Sequence, residues 1–128
     1  MINEEEITMA VKIPFDEERV KREKVYDLDK MKNRLNLLFL NAHLNIQVPG
    51  YMFTNNRGQS KEEAASDMWA TIGYLKRCRW LMKSAIDMQV FVGGYEDLKA
   101  NNYESIFESM KRIGSFYDRD KYWWPNES

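Results

Sequence analysis

Six glycines and three prolines in 128 residues leave this chain few places to turn sharply. The main landmarks are Pro14, Pro49-Gly50 and Gly93-Gly94, and so sparse a supply of turn formers excludes a turn-rich all-β fold. The long stretches between them carry helical periodicity. Leu28, Met31, Leu35, Leu38 and Ala42 recur at spacings of 3, 4, 3 and 4, one seam of a helix. Leu37, Leu40 and Leu44 make a second seam on that helix, which must then be central or shared between subunits. Ser60-Lys61-Glu62-Glu63 has the pattern of a capping box and opens a helix expected over 61–90, with Met68, Ile72, Leu75, Cys78, Met82 and Ala85 as its packing seam. A weaker helix follows Pro14, where Asp16-Glu17-Glu18 suits a first turn. A last one carries Tyr103, Ile106, Phe107, Met110 and Ile113. Ahead of these, Ile7, Met9, Val11 and Ile13 alternate with less apolar residues, the period of a short strand or extended arm that lies on the helices or pairs with another subunit. The expected fold is all-α: a four-helix bundle with a short extended N-terminal arm. The arm covers 1–15, the bundle 16–118, and an aromatic tail with Tyr122, Trp123, Trp124 and Pro125 covers 119–128.

Composition narrows the chemistry. Nineteen Lys and Arg against twenty Asp and Glu exclude a uniformly basic chain, and nine of the acids fall before residue 30. The single cysteine, Cys78, excludes an internal disulfide and a Cys-built zinc site. His43 is the only histidine and lies among apolar helix residues without a nearby acid. Cys78 sits on a packing seam, where it reads as a small buried hydrophobe without a base to activate it. The paired carboxylates stand at helix starts, where capping accounts for them. No catalytic residue, metal ligand or cofactor is expected, so the chain reads as a non-enzyme. Met1-Ile2-Asn3 running into Glu4-Glu5-Glu6 lacks the opening of a secretory leader, and no apolar run is long enough to cross a bilayer. The expected setting is cytoplasmic.

The layout of charge says more than its sum. Residues 30–61 and 68–86 contain no acid, and the second run holds Lys76, Arg77, Arg79 and Lys83. On a continuous helix, Trp69, Lys76, Trp80 and Lys83 fall on one flank with Gly73, away from the packing seam. Such an aromatic-basic stripe can stack bases and meet phosphates, or anchor a protein partner. The plainer alternative packs both indoles against the N-terminal arm or the aromatic tail and leaves the lysines as a solvated face.

Cys78-Arg79-Trp80-Leu81-Met82-Lys83-Ser84-Ala85 resembles the Leu-Arg-Phe-Leu-Leu-Arg-Leu-Ala pattern in helix three of the accessory variability proteins of diversity-generating retroelements. These are four-helix bundles related to the proteins encoded by intervening sequences in bacterial 23S ribosomal RNA genes. Tyr103-Glu104, with Ile113-Gly114 at the matching interval, is similar to the Tyr-Glu and Ile-Gly of that family's fourth helix, and the likeness spans roughly residues 64 to 118. It implies a homo-oligomer, a pentamer in that family, that is not an enzyme. The family binds a reverse transcriptase and its template RNA during mutagenic copying. Arg79 and Lys83 match its basic positions, and Lys76 and Arg77 join them by proximity. A reading of another class is a small phage-type inhibitor or nucleotide-sequestering module that clamps a compact anion with the same residues. A third is an assembly bundle with no ligand.

Overall fold

In the computed structural model, which describes residues 2–113, the alternating N-terminal segment becomes a strand, β1 (Ala10–Lys12). It is the middle strand of an antiparallel sheet and not an arm. β2 (Asn45–Val48), β3 (Met52–Thr54), β4 (Gln89–Phe91) and β5 (Glu104–Ser105) complete the order β2-β3-β1-β4-β5. The helices are α1 (Glu17–Glu23), α2 (Leu28–Asn41), α3 (Lys61–Leu75), α4 (Arg79–Ser84), α5 (Tyr95–Ala100) and α6 (Ile106–Arg112). The expected four-helix bundle is therefore corrected to an α/β fold. The tail 119–128 lies outside the described residues.

Strand alternation assigns the two faces of the sheet. The row Ile46, Phe53, Val11 and Val90 runs across four paired strands and joins the main core. Against that row lie Met31, Leu35 and Phe39 of α2, Met68, Ile72 and Leu75 of α3, Leu81 and Met82 of α4, and Phe107 and Met110 of α6. Phe39 stacks on Phe53 with centroids 4.0 Å apart and planes 7° from parallel. On the other face, Ala10, Met52 and Phe91 form a smaller cluster with Ile2, Ile7 and Leu98, covered by the N-terminal turn and α5.

Two departures from helix have local causes. Pro49-Gly50 does not end a helix, since α2 stops at Asn41 and β2 follows it; the pair turns the β2–β3 hairpin. Tyr51 N donates to Val48 O at 3.0 Å, and Gly50 at φ +69° sits where a type II turn needs a left-handed residue after proline. The seam expected to continue to Ala85 is buried throughout, yet the helix carrying it stops at Leu75. Cys78, at φ −97° and ψ 115°, is extended and starts α4 in a new direction. Beyond α4 the backbone pairs as a strand: Asp16 N donates to Ser84 O and Ile86 N to Pro14 O. Residues 84–91 thus follow the N-terminal segment, which offers ladder partners that a bundle cannot.

The capping box forms as its sequence implies, with Glu63 N donating to Ser60 Oγ at 3.1 Å. The α2 seam is also covered, with Met31 and Leu35 buried and Leu28, Leu38 and Ala42 packed partly against the core. Its second seam is not: Leu37 and Leu40 are 61% and 50% exposed, while Leu44 is buried beyond the helix end. No helix among the described residues is long and apolar enough to cross a membrane.

The N-terminal segment is held by side-chain amides. Asn55, buried, accepts from Thr8 N at 2.8 Å and Met9 N at 3.4 Å and donates to Glu6 O at 3.2 Å. Gln47 accepts from Ile2 N and donates to Ile2 O. Orphaning buried backbone groups costs about 1–3 kcal/mol each, so Asn55→Ala is expected to lower stability in urea by about 3 kcal/mol. A loss under about 0.5 kcal/mol would mean that the clamp is dispensable.

Candidate functional site

The cations singled out in the sequence come together at the break between α3 and α4, though not as a stripe on one helix. Because α3 ends at Leu75, the helical phase that aligned Trp69 with Trp80 is lost across the turn at 76–78. Trp80 turns inward and is 2% exposed, whereas Trp69, on α3, remains 37% exposed. Of these two indoles, Trp69 is the one open to a partner. Arg77 is exposed, and Lys76, Arg79 and Lys83 are half-buried. Lys76, Arg77 and Lys83 make no ion pair with a described residue. Lys83 follows Arg79 by four residues on α4, so the two share a face.

Two residues that the sequence-based selection passed over complete the cluster. Lys30 and Arg34, one turn apart on α2, approach from the neighbouring helix. The Arg34 guanidinium carbon lies 5.1 Å from the centroid of the Trp80 ring, a cation–π pairing with a buried indole. Arg34 and Arg77 both lie close enough to Cys78 to favour its thiolate electrostatically. The signal available in the sequence was the acid-free run at 30–61, which already contained Lys30 and Arg34.

Between α4, the start of α2 and the turn before it lies an open recess of about 340 Å³. Its lining comprises Val25, Tyr26, Asp27, Lys30, Met31, Arg34 and Trp80. Asp27 is the acid there, and its carboxylate accepts from the backbone N of Lys30 as the cap of α2. The floor is apolar and the cations stand at the side, an arrangement suited to a flat or apolar body that carries negative charge.

Among the described residues, neither side chain considered for nucleophilic or acid–base work has a catalytic grouping around it. His43 occupies the left-handed position after α2, φ +65°, and its carbonyl accepts from Asn56 Nδ2 and Gln59 Nε2. Cys78 is buried and its thiol donates to Tyr74 O at 3.4 Å. Burial pushes the thiol above its ordinary value of 9.0, and Tyr74, Arg34, Arg77 and Trp80 pull it back only in part. Among the described residues no group of three His, Cys, Asp or Glu is placed to hold a metal ion. Comparison with known families, curated proteins and solved structures finds no match for this chain.

A thiol raised in the folded state contributes stability below the unfolded value, and that contribution is lost as pH climbs above it. The difference in unfolding free energy between the wild type and Cys78→Ala should be flat from pH 6 to about 8, then shrink above about 9. A difference that stayed flat to pH 10.5 in urea titrations would place the thiol in water.

Proposed function

We propose that this protein is a non-catalytic accessory module that holds single-stranded RNA on the basic flank at the α3–α4 break. The observation that carries the reading is the cluster of Lys76, Arg77, Arg79 and Lys83, beside Lys30 and Arg34, in a chain whose net charge is −1. In a chain so nearly neutral, cations drawn from two acid-free stretches of sequence, 30–61 and 68–86, concentrate positive potential at one place. Lys76, Arg77 and Lys83 have no described acid to satisfy, and Trp69 adds an exposed aromatic face on the preceding helix. Cations that track phosphates with an aromatic close by are the usual ingredients of strand binding without strict sequence choice. The non-catalytic part of the reading is supported by the burial of Cys78 and by the turn position of His43.

A reverse transcriptase as protein partner, and a pentamer as the form of self-association, rest on the sequence resemblance alone, and the bundle that it implied is replaced by an α/β fold. The exposed Leu37 and Leu40 are consistent with a protein contact and do not identify one. The RNA contact has separate support in the charge layout.

Lys30, Lys76, Arg77 and Lys83, each releasing one phosphate counterion from a single strand, give a log–log salt slope of about −3. Fluorescence anisotropy with a labelled 12-nucleotide RNA between 50 and 300 mM salt should show that slope. The double variant Lys76→Gln, Lys83→Gln should cut it to about half. Affinity independent of salt, or unchanged by the double variant, contradicts the reading.

A further inference from the structure

The recess beside the basic flank has a composition that the phosphate contacts do not require. A strand held by cations alone needs only a convex charged surface, yet here an apolar-floored hollow opens between the cations of two helices. Met31 and Trp80, 5% and 2% exposed, form its floor, and Val25 and Tyr26 stand at its wall. Lys30 and Arg34 supply positive charge at one side. Arg34 is already laid over the indole, and a guanidinium plane backed by an aromatic ring is a recognised platform for an unstacked base. A volume of about 340 Å³ is at the small end for ligand sites, suited to one flat ring system and not to a folded peptide.

We propose, on the footing of the RNA reading above, that this recess takes a single nucleotide of the bound strand. Its base enters between Tyr26 and the Arg34 platform over Met31, and its phosphate is met by Lys30. The charge complementarity is specific to the rim. Asp27, the acid in the lining, already serves as the cap of α2, while Lys30 makes no ion pair with a described residue. An acidic peptide carrying an aromatic side chain is the competing occupant. It lacks the regular phosphate spacing that Lys76, Arg77 and Lys83 would read on the neighbouring surface.

The test uses the full chain and a 12-nucleotide RNA with 2-aminopurine at one internal position, compared with the same RNA labelled only at its 5′ end. Val25 is 67% exposed at the mouth of the recess, so Val25→Glu places a negative charge there without touching the core. Val92→Glu, at an exposed position after β4, adds the same charge elsewhere. The expected result is a change in 2-aminopurine fluorescence of at least twofold on binding to the wild type and to Val92→Glu. Val25→Glu should abolish that change and weaken binding about tenfold, with circular dichroism and urea midpoint unchanged. Salt-dependent binding of the end-labelled RNA with the same 2-aminopurine response in Val25→Glu overturns the base recess and leaves the strand-binding flank standing. Absence of any RNA binding to the wild type overturns both, and tight binding of an acidic aromatic peptide in its place identifies the competing occupant.

Discussion

Pairing of β1 on both sides is the constraint from which the remaining architecture follows. A strand with two antiparallel neighbours directs alternate backbone groups to each, so β3 and β4 are fixed in register against Ala10–Lys12. Once the register is set, strand alternation sends Val11, Phe53 and Val90 to the helices and Ala10, Met52 and Phe91 to the opposite cluster. A slip of one residue would exchange these rows and bury Lys12 in the main core. The side-chain amides of Gln47 and Asn55 then fasten the residues ahead of β1, and Gly94 admits the Ile7 carbonyl to the backbone N of Tyr95.

The same pairing generates the candidate site. Because residues after Ser84 run along the N-terminal segment, the chain cannot continue α3 in a straight line and must redirect before it. The turn at 76–78 does this, and α4 enters the core with Trp80, Leu81 and Met82 buried. Apolar side chains go inward, and the charged residues interleaved with them are carried to the surface near α2. Lys30 and Arg34 meet them there, and the recess is the space left between the two helices and the α1–α2 turn. The cationic flank is thus a consequence of how the sheet closes, with its positive charge drawn from segments some forty residues apart.

Burial was legible in the sequence to a greater depth than geometry was. Every residue of the seam from Met68 to Ala85 is buried as the spacing implied, although the helix assumed to carry it stops partway. Periodicity reports which residues face the interior, and a turn that restarts a helix in phase with the core leaves that record nearly intact. The cap at Ser60 was readable because it depends on a neighbour three residues away, and the acidic start at Asp16-Glu17-Glu18 marked α1, which Asp16 caps. The strands were not, apart from β1, since each is only two to four residues long and takes its stability from partners distant in sequence. One local signal did exist: Pro49-Gly50 between Ile46, Val48 and Met52, Phe53 is a hairpin pattern as much as a helix stop. At the candidate site, Arg77 is exposed as a solvated face implies and Lys76, Arg79 and Lys83 are half-buried, but the inward turn of Trp80 depended on the break, which no spacing announced.

Native-state hydrogen exchange at β1 tests this account most directly. If β1 is the central strand, the amide of Val11 exchanges only through global unfolding, with protection equal to that of the most protected amides of α2 and α3. Exchange of Val11 within minutes, while those helices stay protected, would describe a chain with a loose arm on a helical body and would contradict both the sheet and the site built from its closure.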